Sequence, residues 1–298
     1  MKVLFGLGGM GRAELETLIT SASSYRDSLS KGEPIPRVLS GKIVVNLFFE
    51  PSTRTRTSFE IAVHRLGGHV ITFDPSRSSA LKGESLADTV RTIAAMGVDV
   101  LVVRHAEEGI PERIHDWTGL AVINAGDGAG EHPTQALADA LALKGRFGDL
   151  DGLRVAVVGD LRHSRVANSL IGSLPTLGAD LILVGPPSLL PPTRPAGIGV
   201  STDLDAVLEG LDVVYVLRVQ RERGGRVDDD YHLRYGMTRD RAQRLGDRCV
   251  VMHPGPMNRG VEIASEVADG PRSLILEQVA CGVPVRMATL AALAGETP

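Results

Sequence analysis

Short β-branched runs that alternate with longer stretches of helical period constrain this chain more than any other feature, because such alternation builds parallel sheets through βα crossovers. Lys42 to Phe48 has the composition of a strand. The residues after it place Phe59, Ala62, Val63 and Leu66 at i, i+3, i+4 and i+7, one apolar helical face that Gly67 and Gly68 then stop. His69 to Phe73 predicts the next strand, Leu86 to Met96 the next helix, and Val100 to Val103 an apolar strand running into Arg104. Four βα repeats fit by about residue 130. A helix from His132 to about Gly148 leads into a second series, with strands Arg154 to Val158, Asp180 to Val184, Asp212 to Leu217 and Cys249 to Met252, and a helix Arg165 to Leu174. A chain of 298 residues exceeds the size at which one core stops growing. The expected class is therefore α/β, with two doubly wound domains, each around a central parallel sheet.

Between Pro186 and Pro195 stand five prolines, and Arg221 to Asp230 is charged and contains glycine, so both stretches are expected to be loops, the latter a candidate lid. Leu274 to Leu293 has helical period apart from Pro284. The glycine-rich first ten or so residues carry no structural expectation.

Composition narrows the function. A net charge of −4 and a pI near 6.1 give no electrostatic footprint for nucleic acid or an anionic membrane. Cys249 and Cys281 are the two cysteines and lie far apart without metal-ligand or redox spacing, so no disulfide, metal or thiol chemistry is expected. No apolar run reaches the roughly 18 residues that span a bilayer, and Met1 to Gly9 lacks a signal-peptide core, so the cytoplasm is the expected compartment.

In open parallel sheets ligands sit beyond the carboxyl ends of the strands. After the first predicted strand comes Glu50-Pro51-Ser52-Thr53-Arg54-Thr55-Arg56, in which hydroxyl and guanidinium groups crowd a helix start whose free N–H groups and dipole favour a phosphate. Taken alone, the motif leaves a second reading open: Ser52 or Thr53 caps the helix and the arginines are merely solvated. His132 alone likewise reads as a helix-start histidine bonded to backbone, and Lys82 alone as a solvated loop lysine.

Phe49 to Arg56 resembles the carbamoyl-phosphate signature of the transcarbamoylase family. Further matches follow in that family's order: Ser78 to Thr89 with Lys82-Gly83-Glu84, Val103-Arg104-His105, and Gly126-Asp127-Gly128 leading to His132-Pro133-Thr134-Gln135. The resemblance covers nearly the whole chain. It implies a transcarbamoylase fold whose two domains are joined by helices. Residues 1–131 with 276–298 would bind carbamoyl phosphate, and 132–275 would bind the second substrate.

It also implies that Ser52, Thr53, Arg54, Thr55, Ser78, Lys82, Arg104, His132 and Gln135 bind carbamoyl phosphate. Arg54, Thr55, Lys82, Arg104 and His132 would act in catalysis. Thr55, Arg104 and His132 match the donors to the carbamoyl oxygen, where charge develops, and Arg54 matches the residue that stabilises the departing phosphate. Ser78 and Lys82 match residues that enter the neighbouring subunit's site, which implies a homotrimer with shared active sites. Glu84 matches a residue that pairs with Arg54.

L-Aspartate carries two carboxylates and calls for two forked cations. Arg165, after Gly159-Asp160-Leu161-Arg162-His163-Ser164, and Arg218, in Leu217-Arg218-Val219-Gln220, match aspartate ligands of the family, with Lys82, Gln220, Gly255 and Pro256 beside them. Individually each arginine also reads as a surface salt bridge. Ornithine-type members carry His-Cys-Leu-Pro and a Ser-Met-Gly loop, whereas this chain has His253-Pro254-Gly255-Pro256 and no Ser-Met-Gly.

The implied reaction is carbamoyl transfer from carbamoyl phosphate to L-aspartate, an early step of pyrimidine biosynthesis, with no cofactor and no metal. No side chain stands out as general base, and the family's account has the leaving phosphate take the amine proton. The segment His253 to Gly260 resembles the branch that works alone or beside a dihydroorotase. Two other classes compete with this one. A dinucleotide-binding oxidoreductase would need GxGxxG after Val155 to Val158, where Arg162 and His163 stand instead. A noncatalytic homologue would be expected to have lost some of these chemical positions, and all are filled.

Overall fold

The computed structural model describes residues 1–75, 83–220 and 230–295. Ser78, Lys82 and all but the last residue of the predicted Arg221 to Asp230 lid lie outside the described residues. Two compact units divide the chain: residues 1–141 with 279–298, and residues 142–278.

The first unit runs β1 (Val3–Leu4), α1 (Arg12–Lys31), β2 (Ile43–Phe48), α2 (Thr53–Arg65), β3 (His69–Phe73), α3 (Leu86–Ala95), β4 (Val100–His105), α4 (Ile110–Thr118), β5 (Ala121–Asp127) and the start of α5 (Pro133–Phe147). Its five strands are all parallel and lie in the order β1-β5-β4-β2-β3. The apolar run Val100 to Val103 becomes the middle strand, with every side chain buried, and it packs with Val45, Leu47, Ile110, Ile114 and Val122. Each such side chain contributes about 1.5–3 kcal/mol by leaving water. The glycine-rich N-terminus, for which the sequence carried no expectation, adds β1 to the free edge of β5 through Val3 and Leu4.

The second unit contains β6 (Arg154–Val158), α6 (Arg165–Ser173), β7 (Asp180–Val184), β8 (Gly199–Ser201), β9 (Val213–Val216), α7 (Tyr231–Tyr235), α8 (Arg239–Arg244), β10 (Val250–Met252) and α9 (Ser265–Ala268). Its sheet is again five-stranded and parallel, in the order β10-β9-β6-β7-β8. α10 (Ile275–Leu293) closes the chain.

Predicted and observed elements differ mainly at their ends. Strand β2 begins one residue late because Lys42 still belongs to a turn, its N–H donating to the Leu39 carbonyl at 2.9 Å. β4 extends through His105, which pairs with Asp127 after a register shift. The proline-rich stretch is a loop holding one 3-10 turn, Pro187–Leu189. Pro284 does not interrupt α10. By length and composition α10 could cross a membrane, yet two-thirds of its apolar window is buried within the protein, as in the core helix of a globular fold.

In the second unit Arg241 is buried, and its guanidinium donates to the carbonyls of Leu233, Arg234 and Gly236 and to both carboxylate oxygens of Asp205. One planar fork thus fastens the chain that follows the undescribed segment 221–229. Arg241→Met should lower unfolding free energy by about 2 kcal/mol or more, since the buried Gly236 carbonyl and two partly buried ones lose their donor. Urea denaturation measures this, and an unchanged midpoint would exclude the role.

Candidate active site

In the first unit the polar loops follow β2, β4 and β5, which are consecutive strands of the sheet. Adjacent strands lie about 4.8 Å apart, so loops leaving three neighbours at the same edge converge. Phe48 pairs with Arg104 across β2 and β4, and the Phe49 N–H donates to the Arg104 carbonyl at 2.8 Å.

Ser52 occupies the N-cap of α2 in extended geometry, yet its hydroxyl makes no capping hydrogen bond. The first turn of α2 holds no acidic side chain, whereas α1, α3 and α4 carry Glu14, Asp88 and Glu112 there. The positive end of α2, like those of α5 and α6, thus has no acidic side chain in its own first turn. Thr53 and Arg54 are exposed at this start and Thr55 is buried. The Thr55 hydroxyl lies 3.5 Å from His132 Nε2, and both residues are buried. Arg104 donates through Nη1 to the Ala125 carbonyl at 3.2 Å, and its Nε lies 3.5 Å from Glu50 Oε2. Gln135, on the first turn of α5, donates its amide Nε2 to Asp139 at 2.8 Å.

The loop that presents His132 is built by buried polar groups. Asn124 donates to the Phe5 carbonyl and to Asp127 Oδ1, both at 2.8 Å, while its own oxygen accepts from the Gly126 N–H. Asp127 accepts from the N–H groups of Gly109 (2.8 Å) and Glu131 (2.9 Å). The Glu131 carboxylate accepts from the N–H groups of Leu7 (2.8 Å) and Gly8 (3.3 Å), tying the N-terminal turn to the residue before His132. Buried and part-buried polar groups here satisfy one another, which braces the loop.

Glu84 accepts from the Thr89 hydroxyl at 3.0 Å, and among the described residues no ion pair joins it to Arg54. Thr89, on α3, is the nearer donor.

The second unit repeats the logic. Its predicted residues follow β6, β9 and β10, again three consecutive strands. Gly159, just past β6, has φ +131°, and a Cβ there would stand 2.9 Å from the Leu217 carbonyl, so only glycine lets the two strand ends approach this closely. Asp160 is fully buried and accepts from the His163 N–H (3.2 Å), His163 Nδ1 (2.9 Å) and the Gln220 N–H (3.3 Å). Gln220 Nε2 returns a bond to the His163 carbonyl at 3.0 Å. The loop of Arg165 and that of Arg218 and Gln220 are thereby locked together. Ser164 caps α6 by accepting from the Ala167 N–H, which places Arg165 in the first helical turn, buried.

After β10, the Gly255 N–H donates to His253 Nδ1 at 2.8 Å, so the ring's other nitrogen, Nε2, faces Glu262 Oε1 at 3.4 Å. Both side chains are fully enclosed. This pair shapes the turn that carries Gly255 and Pro256, joined by a cis peptide bond.

Sequence reasoning gave no role to Asn124, Asp127, Glu131, Asp160, His163, His253 or Glu262. For Asp127 and Asp160 the available signal was an Asp beside glycine at a strand end, where such side chains bond local backbone N–H groups. Burial pushes the Cys249 thiol up to about 12, which leaves it unreactive at neutral pH. Among the described residues no cluster of three or more His, Cys, Asp or Glu side chains is suited to a metal ion.

Removing the Asp127 carboxylate leaves the Gly109 and Glu131 N–H groups without an acceptor. Asp127→Ala should therefore lower both the melting temperature and, by tenfold or more in order of magnitude, the turnover of whatever reaction His132 serves. Full activity in a folded variant would show that the loop needs no such support.

Comparison with known proteins agrees with this geometry. Residues 2–145 match the carbamoyl-P binding domain, and residues 151–293 the Asp/Orn binding domain, of the aspartate/ornithine carbamoyltransferases. The chain is 55% identical over 292 residues to the aspartate carbamoyltransferase catalytic subunit of Salinispora tropica, covering 94% of each chain. It is 46% identical to that of Carboxydothermus hydrogenoformans, covering 99% of this chain and 96% of the other. A crystal structure of aspartate transcarbamoylase from Trypanosoma cruzi with carbamoyl aspartate and phosphate is similar, with TM-score 0.89 and 34% identity over 97% of this chain and 94% of that one. Ornithine carbamoyltransferase from Pyrococcus furiosus also has TM-score 0.89, at 26% identity over 99% of this chain and 97% of that one.

Proposed function

The chain belongs to the aspartate/ornithine carbamoyltransferase family, and from that premise we propose that it transfers the carbamoyl group of carbamoyl phosphate to the amine of L-aspartate. The observation that carries this reading is the convergence of Ser52 to Thr55, Arg104 and His132 at the carboxyl ends of three consecutive strands. Aspartate rather than ornithine is favoured by the identity to aspartate-type relatives, 46–55%. It is also favoured by Arg165 and Arg218, two guanidinium groups suited to two carboxylates.

Phosphate binds at the start of α2, where Ser52, Thr53 and the first N–H groups donate and Arg54 supplies a fixed positive charge. The carbamoyl oxygen lies against Thr55, Arg104 and His132. Attack by the aspartate amine forms the C–N bond and moves an electron pair onto that oxygen, where these donors stabilise it; removing one such donor costs about 10²–10³-fold in rate. When the pair returns, the C–O bond to phosphate breaks, and the departing phosphate takes the amine proton. Carbonyl groups around Gly255 and Pro256 receive the amine's remaining N–H bonds.

The same reading has residues 1–131 with 276–298 as the carbamoyl-phosphate-binding domain and 132–275 as the aspartate-binding domain. It includes a cytoplasmic homotrimer in which Ser78 and Lys82 reach the neighbouring subunit's site. Association with a dihydroorotase belongs to it as well, on the strength of the His253 to Gly260 segment.

Purified protein given carbamoyl phosphate should form carbamoyl-aspartate and leave L-ornithine unreacted; the opposite preference would reverse the assignment. Arg54→Ala should lower kcat far more than it raises the aspartate KM, whereas Arg218→Ala should mainly raise that KM. Two inactive proteins, Lys82→Ala and Arg54→Ala, should regain activity on subunit exchange, and proven exchange without recovery would refute the shared site.

A further inference from the structure

On α5, Gln135 and Asp139 stand four residues apart and share a face, and the Gln135 amide nitrogen donates to Asp139 Oδ1 at 2.8 Å. The two ends of an amide are nearly the same size, so its orientation is set by what it faces. An ionised carboxylate has no proton to give and admits only the NH₂ end. Asp139 is fully buried, and a buried carboxylate requires an opposite charge.

Arg286 supplies it. This residue of α10 is completely enclosed, donates through Nη1 to the Gly282 carbonyl at 2.8 Å, and lies with its guanidinium 5.2 Å from the centre of the Phe59 ring of α2. Burial pulls the Arg286 pKa down to about 10, and the attraction of Asp139 opposes that shift. Arg286 of α10 thus stacks on Phe59 of α2 and lies close enough to Asp139 of α5 to feel its charge, all within the first unit.

We infer that Asp139, backed by Arg286, is a positioning residue that turns the Gln135 amide oxygen toward the ligand, so that the site selects a carbamoyl phosphate NH₂ over a methyl group in the same place. This rests on the function proposed above. With its nitrogen held by Asp139, Gln135 presents only an acceptor, and the carbamoyl NH₂ is the one donor that distinguishes carbamoyl phosphate from acetyl phosphate. The two compounds have nearly the same shape and the same phosphate. A site built to accept a hydrogen bond discriminates against the ligand that lacks the donor. An asparagine at position 139 can offer its own NH₂ to Gln135, which frees the amide to rotate and present a donor instead.

The experiment compares carbamoyl phosphate with acetyl phosphate and inorganic phosphate as ligands. The unaltered enzyme should bind carbamoyl phosphate more tightly than acetyl phosphate; equal affinities overturn the inference at once. In Asp139→Asn, kcat/KM for carbamoyl phosphate should fall on the order of tenfold, while inhibition by acetyl phosphate and by inorganic phosphate changes by less than about twofold. Equal weakening of all three, or no change in any, would show that Asp139 only supports the fold.

Because Asp139→Asn isolates a buried guanidinium, the double variant Asp139→Asn with Arg286→Met removes both charges and should show the same selective loss. An unaltered enzyme that makes no carbamoyl-aspartate would sink the proposed function and this inference with it. An active enzyme whose discrimination survives in either variant would sink the inference alone.

Discussion

A parallel strand cannot pass its chain directly to the neighbour it pairs with; the chain must leave at the carboxyl edge and return to the opposite edge through a crossover. Every strand of a parallel sheet therefore ends at the same edge, and so does every loop that follows one. Both units of this chain are all-parallel, and in each the candidate ligands come from three consecutive strands: β2, β4 and β5 in one, β6, β9 and β10 in the other. Sheet geometry alone gathers groups that are far apart in sequence, such as Thr55 and His132.

Gathering loops is not enough for catalysis, because donors must be fixed before charge develops if they are to lower a barrier without reorganising. Here the fixing is done by acidic side chains at strand ends that bind backbone N–H groups. Asp127 holds Gly109 and Glu131, Asp160 holds His163 and Gln220, and the Glu131 carboxylate holds Leu7 and Gly8. Each carboxylate accepts two or more donors, which compensates the burial of Asp127 and Asp160 and braces the loops they hold. His253 and Glu262 act likewise on the turn carrying Gly255 and Pro256.

The fold and the substrate preference are separable. Aspartate and ornithine enzymes superimpose on this chain equally well, each with TM-score 0.89, so backbone shape says little about which amine is used. The proposed preference for aspartate therefore rests on side chains, Arg165 and Arg218, that follow strands of the second sheet.

Much of this was legible in the chain itself. Short β-branched runs placed β2, β3, β6 and β7, and a period of 3.6 placed the apolar face of α2, to within a residue or two, because such local composition follows from burial. The run from Glu50 to Arg56 pointed to an anion site, and the start of α2 that it forms carries no acidic side chain in its first turn. The sequence was silent on the N-terminal strand, where Val3 and Leu4 form too short a run to signal anything until β5 offers a free edge. It could not show that Glu84 bonds Thr89, or that Asp139 and Arg286, nearly 150 positions apart, come close enough to interact electrostatically, because partner choice among polar side chains depends on distances that exist only after folding. Local pattern determined the elements and the kind of chemistry; tertiary packing decided which buried charge faces which, since Coulombic and hydrogen-bond energies fall off within a few ångströms and no spacing rule along the chain encodes them.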